Sequence, residues 1–248
     1  MNDADDLAPR ETLPGVFPET RWTMVLRAAG EGHDTTSARA LEDLCRAYWR
    51  PVYAVARRSG LDHEDAEDIT QTLFTELIRS RSLDRVSPEA GRLRWFLLAA
   101  LRNQLAHWHA KAAAAKRGGG RAALRLDMSG AEQYYDLIPP DKLAPDVLYD
   151  RHWMLALMER AVARLSDDQS QRGRSAFFND VRPALTSEGG ESYETIAKRH
   201  GMTEAAVKMA VMRLRERLRA TLRAEIAETV ATPGDVDDEI RHLFAAFA

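Results

Sequence analysis

Only one of the 248 residues, Cys45, is a cysteine. No internal disulfide can form, which excludes a disulfide-stapled scaffold and fits a reducing compartment. No apolar run approaches the roughly 18 residues of a membrane span. The opening residues, with Asn2, Asp3, Asp5 and Asp6, lack the basic and apolar regions of a secretion signal. The expectation is therefore a cytoplasmic chain without membrane insertion. Strand signals are scarce too: no segment alternates cleanly and β-branched residues never cluster. Disorder throughout is not expected, because 45% of the residues are hydrophobic.

A net charge of −3 argues at first against a nucleic-acid partner. The charges are segregated, however. Residues 1–37 hold seven acids and three bases, whereas 92–125 hold eight bases and no acid. Residues 204–219 carry five bases against two acids, and 220–248 carry six acids against two bases. Two basic blocks thus stand between acidic ends, and the geometry of each block decides whether it is a binding face.

Helical periodicity prevails, so the fold class read from the sequence is all-α: two helical domains joined by a flexible linker. An N-terminal extension, 1–36, carries a short helix over 20–29. The first domain, 37–112, contains a helix whose inner face includes Leu41, Leu44, Cys45, Tyr48 and Val52, kinked or restarted at Pro51. Gly60 ends that segment, Asp62 caps a helix from His63 to about Arg79, and a long helix runs from about Pro88 towards Lys111. Residues 113–150, with Gly118-Gly119-Gly120, Pro139-Pro140 and Pro145, read as the linker, although Leu124 to Leu126 or Tyr134-Tyr135 can dock locally. A second domain follows over 151–222, then an acidic extension over 223–248, which either folds back on a basic face, binds a regulator or stays disordered.

The most specific signal lies over 192–219. Ser192 can cap a short helix, Gly201 breaks it, and Thr203 can cap a second helix from Glu204, which is the helix-turn-helix pattern. At 100° per residue Val207, Ala210, Val211, Leu214 and Leu218 form one stripe. Ala205, Lys208, Met209, Met212 and Arg213 face away from it, as suits a major groove. In the central basic helix, Leu93, Leu97, Leu98, Leu101, Leu105 and Trp108 form the apolar side. Trp95, Ala99, Arg102, Asn103 and Ala106 lie opposite, and an aromatic ring beside a cation and an amide suits unpaired bases. In the acidic helix Asp68, Gln71, Thr72 and Thr75 point outward with Phe74 on the boundary, as suits a protein-docking face. His63-Glu64 has no histidine four residues on, so the zinc-protease motif fails. No cofactor, metal or catalytic residue is expected. A DNA-binding regulator with an N-terminal domain sensing a partner or ligand remains an alternative, and a metal-dependent nuclease a remote one.

Three segments in order, DAEDITQTLFTEL, GRLRWFLLAALRNQL and YETIAKRHGMTEAAVKMAVMRLRERL, resemble the extracytoplasmic-function sigma factors of bacterial RNA polymerase. The resemblance implies a promoter-specificity subunit rather than an enzyme. Asp65, Asp68, Gln71 and Phe74 would dock on core RNA polymerase. Arg94, Trp95, Arg102 and Asn103 would sit at the melted −10 element of promoter DNA. Thr203, Ala205, Lys208, Met209, Met212 and Arg213 would read the −35 element as duplex. An anti-sigma factor or another regulator is the further partner implied. His107 stands where many relatives have aspartate, His200 replaces the usual apolar residue before the turn glycine, and Ala210 falls where relatives often carry arginine.

Overall fold

The computed structural model describes residues 22–23, 35–79, 92–114, 126–138, 143–186 and 190–247. The longer helices are α1 (Thr35–Arg58), α2 (His63–Arg79), α3 (Leu93–Ala114), α5 (Pro145–Gln171), α9 (Glu204–Ala227) and α10 (Pro233–Ala245). Shorter ones are α4 (Ala131–Asp136), α6 (Ser175–Val181), α7 (Pro183–Thr186) and α8 (Tyr193–His200). The all-α reading holds, the β-pairing among the described residues being an isolated bridge between Arg92 and Val230. No helix among the described residues is long and apolar enough to cross a membrane. Most of the expected N-terminal helix, and residues 80–91 and 115–125, lie outside the described residues.

Local chemistry explains most boundaries. Pro51 lacks the N–H that would bond the Ala47 carbonyl, and the backbone adapts at Tyr48, whose φ of −124° and ψ of 20° leave the helical region. Asp62 accepts the Asp65 amide at 2.8 Å and so starts α2. Helix α5 begins at Pro145, earlier than the expected 151, because Ala144 is extended and proline fits the first helical turn. Helix α9 likewise runs past the expected end of its domain to Ala227.

Helix α5 is the spine, packed against α1 on one side and α9 on another. Trp153, fully buried on α5, stacks on Tyr48 of α1 at 4.6 Å and 14°. Arg160 donates to Glu225 of α9 at 2.8 Å. The two expected helical parts therefore share one apolar core.

The linker is packed where it is described. Leu126, Met128, Ala131, Tyr134 and Ile138 are buried, and Tyr134 donates to the His152 carbonyl at 2.5 Å. Tyr135 stacks on the His152 ring, whose burial pulls its pKa down to about 4 and leaves it neutral at pH 7.

The acidic tail folds back. After α9, Thr229 accepts the Leu93 amide at 2.9 Å, and Glu228 accepts the amide of the buried Trp22 at 3.2 Å. Thr232 then caps α10, which turns Val236, Glu239 and Leu243 inward.

Candidate functional site

The helix-turn-helix forms as its caps dictate. Ser192 accepts the Thr195 amide at 3.2 Å and Thr203 the Ala206 amide at 3.2 Å. Between them Gly201 adopts φ 63°, a left-handed conformation that glycine reaches without steric cost. Val207, Val211, Leu214 and Leu218 are buried, and Ile196 and Ala197 of α8 close the core beneath them. Thr203, Ala205, Lys208, Met209, Met212 and Arg213 are all exposed. Met209 and Met212 each keep 47% of their surface open, so this face is apolar at its centre with cations around it. Lys208 meets Glu204 one turn back at 2.6 Å, and Arg215 donates to the Ala184 carbonyl at 2.6 Å. His200, just before the turn glycine, faces Asp180 at 2.7 Å and Phe177 edge-on, which makes a polar latch beside the turn.

On α3 the outward face also forms. Trp95, Ala99, Arg102, Asn103 and Ala106 are exposed, opposite the buried Leu93, Leu97, Leu98, Leu101 and Leu105. The Arg92 guanidinium lies 4.5 Å from the Trp95 ring centroid, and Arg102 pairs with Asp146 of α5. Arg94 departs from expectation. It is 2% exposed and closed off by Asp150 of α5 and Glu239 of α10, the latter at 2.7 and 3.2 Å. The sequence carried the signal: Arg94 shares a helical face with Leu98, Leu101 and Leu105 rather than with Arg102.

The face of α2 is narrower than expected. Asp68 is exposed and Asp65 and Gln71 are half-buried, but Phe74 is fully buried and cannot be a docking residue here. Thr75, expected outside, is buried as well. Helix α2 packs against both α1 and α3, so its inward sector is wide enough to take in both. Gln71 reaches the sulfur of Met128 at 3.8 Å. Beside it lies a cluster not foreseen from the sequence. Glu132 of α4 accepts from Arg57 at 2.7 and 3.1 Å and from Tyr53, whose hydroxyl also lies 2.7 Å from His63 Nδ1. Burial would raise the Glu132 carboxyl, but the Arg57 and Tyr53 hydrogen bonds outweigh it and hold it below the usual range.

Among the described residues no three His, Cys, Asp or Glu side chains converge as metal ligands. Cys45 is buried, and burial pushes its thiol well above the ordinary value, away from the reactive thiolate. Two exposed faces stand out: one on α9 with methionines among cations, and one on α3 with an indole, a cation and an amide.

No curated protein and no solved structure matches the chain significantly. One family model does match, and its limits fall on the first three helices. Residues 44–115, from within α1 through α3, match the model of Sigma-70 region 2, so this part of the chain is similar to that region.

Proposed function

We propose that the chain is a sigma factor of the extracytoplasmic-function type, acting in the cytoplasm. It binds core RNA polymerase, recognises the −35 and −10 elements and promotes melting of promoter DNA. The observation that carries this reading is the order of parts: a region 2 segment with an exposed Trp95–Arg102–Asn103 face, then a helix-turn-helix with an outward cationic helix. Unpaired bases need a stacking surface and hydrogen-bonding edges, whereas duplex DNA takes a whole helix into its major groove. The two faces answer those two demands. Asp68, with Asp65 and Gln71 at its flanks, is the polymerase-docking part of the same proposal.

Run-off transcription with purified core polymerase and genomic promoter fragments tests it. The expected result is a promoter-dependent transcript and competition with the housekeeping sigma factor for core. No transcript together with no core binding overturns the proposal. A regulator that merely binds DNA gives DNA binding without core competition. Asp68→Arg should weaken core binding by about tenfold, or ~1.4 kcal/mol, while DNA binding by the chain alone persists, because Asp68 is exposed on α2 and not on either helix that carries a nucleic-acid face.

Lys208→Ala with Arg213→Ala tests the duplex-reading helix. Two lost phosphate contacts should flatten the slope of log affinity against log salt by about 1.8 on duplex DNA. An unchanged slope, measured by titrating salt in an anisotropy assay, counts against groove entry by α9.

A further inference from the structure

Arg92 and Arg94 end in one buried network. Arg92 meets Glu239 at 3.0 Å, Asp235 at 3.5 Å and Asp238 at 3.9 Å. Arg94 is clamped by both oxygens of Glu239 and by Asp150. Tyr149 donates to the Arg94 carbonyl at 2.9 Å, and His242 lies 2.7 Å from the other Asp150 oxygen. Arg92, Arg94 and Arg102, the arginines of this stretch among the described residues, each meet a carboxylate from α5 or α10. Immediately beside the network stands Trp95, 47% exposed, with the Arg92 guanidinium over its ring.

Resting on the function proposed above, we propose that α10 is an anionic cap. In the free protein it fills the guanidinium grip of Arg92 and Arg94, and a phosphodiester of the melted strand takes that grip when nucleic acid binds. A carboxylate and a phosphate present paired oxygens to a guanidinium in the same way, so one can replace the other without stranding the cation. The cap is also weakly anchored by apolar contact. Val236 and Leu243 are its buried aliphatic residues and Ile240 is half-buried against the same core, while Phe244 is 54% exposed. Asp235 and Asp238 line the solvent side of Arg92, their side chains 26% and 53% exposed, so an incoming phosphate reaches this guanidinium first. The free chain therefore binds single strands weakly, and displacement of α10 uncovers the grip next to the stacking surface of Trp95.

Anisotropy with the full chain, without polymerase, and a labelled mixed-sequence single strand of about twenty nucleotides tests this. Glu239→Gln should tighten binding by about tenfold and Asp235→Asn with Asp238→Asn by about fivefold, with a salt slope steeper by roughly 0.7 for each phosphate gained. Asp237→Asn, on the same helix but paired with Arg223, should change affinity by less than about twofold and so controls for net charge. Adding Arg92→Ala to the Asp235/Asp238 variant should remove the gain. In the unaltered protein, saturating strand should speed amide exchange across residues 233–245. Equal gains for Asp237→Asn, no gain in the folded variants, or unchanged exchange in α10 overturns the proposal. If Glu239→Gln does not fold, the Asp235/Asp238 variant and the exchange measurement decide. Core binding is scored separately, so a chain that binds core but shows no unmasking loses the cap and keeps the function.

Discussion

Trp153→Ala is expected to destabilise the whole chain by about 3–5 kcal/mol, the range for truncating a large buried aromatic. The ring is fully buried, stacks on Tyr48 at 4.6 Å and tilts against Tyr149 at 5.8 Å. Its removal therefore leaves a cavity between α1 and α5 and ends two aromatic contacts, each worth about 0.5–1.5 kcal/mol beyond area burial. Trp153→Phe should cost less than Trp153→Ala, because it empties only part of the volume. The six-membered ring preserves the stack, and the indole N–H that it loses has no hydrogen-bond partner, so no bond is broken. Urea unfolding followed by circular dichroism measures both. One transition that shifts as a unit is the expected form, because Tyr48 lies in the segment similar to region 2 and α5 leads into the helix-turn-helix. Two separate transitions in the unaltered protein would show that the halves fold independently, and the shared core would lose its meaning.

What the sequence disclosed was local. Asp62, Ser192, Gly201 and Thr203 announce helix ends through hydrogen bonds and backbone preferences spanning a few residues, and all four act as expected. The stripe of Val207, Val211, Leu214 and Leu218 needs only helical geometry, and with it the outward face of Lys208, Met209, Met212 and Arg213 was legible. Phe74 was misplaced because periodicity locates the centre of a buried sector but not its width, which depends on how many helices pack against it. Arg94 was misplaced for a different reason. Arginine is seldom buried without a partner, and its partners lie 56 and 145 positions further along the chain. Yet Glu239 sits between Val236 and Leu243 on the inner face of α10, as Arg94 sits with Leu98 and Leu101 on α3. Two opposite charges, each embedded in an apolar stripe, are a readable sign of one buried pair. The segregation of charge was thus legible, but the pairing of its blocks was not.

Arg94→Ala should cost about 3–5 kcal/mol, although the intact pair is worth far less than that. The difference lies in what each change leaves behind. Removing the guanidinium leaves Glu239, 1% exposed, with Arg92 at 3.0 Å, and Asp150, 7% exposed, with His242. Desolvated carboxylates that lose their principal counter-charge carry the penalty, not the lost bond itself. Arg94→Leu with Glu239→Leu should therefore recover at least about half of the loss, giving a coupling of roughly 1.5–3 kcal/mol in a double-mutant cycle. Urea midpoints for the four proteins supply that number. A double variant as unstable as Arg94→Ala would mean that the pair itself, rather than the stranded charge, holds α10 in place. The distinction bears on the cap directly. A pair whose net worth is small, but whose halves cannot be left uncompensated, resists simple opening and yields readily to exchange. Phosphate offers such an exchange, so α10 can be tightly closed in the absence of nucleic acid and still leave at little cost in its presence.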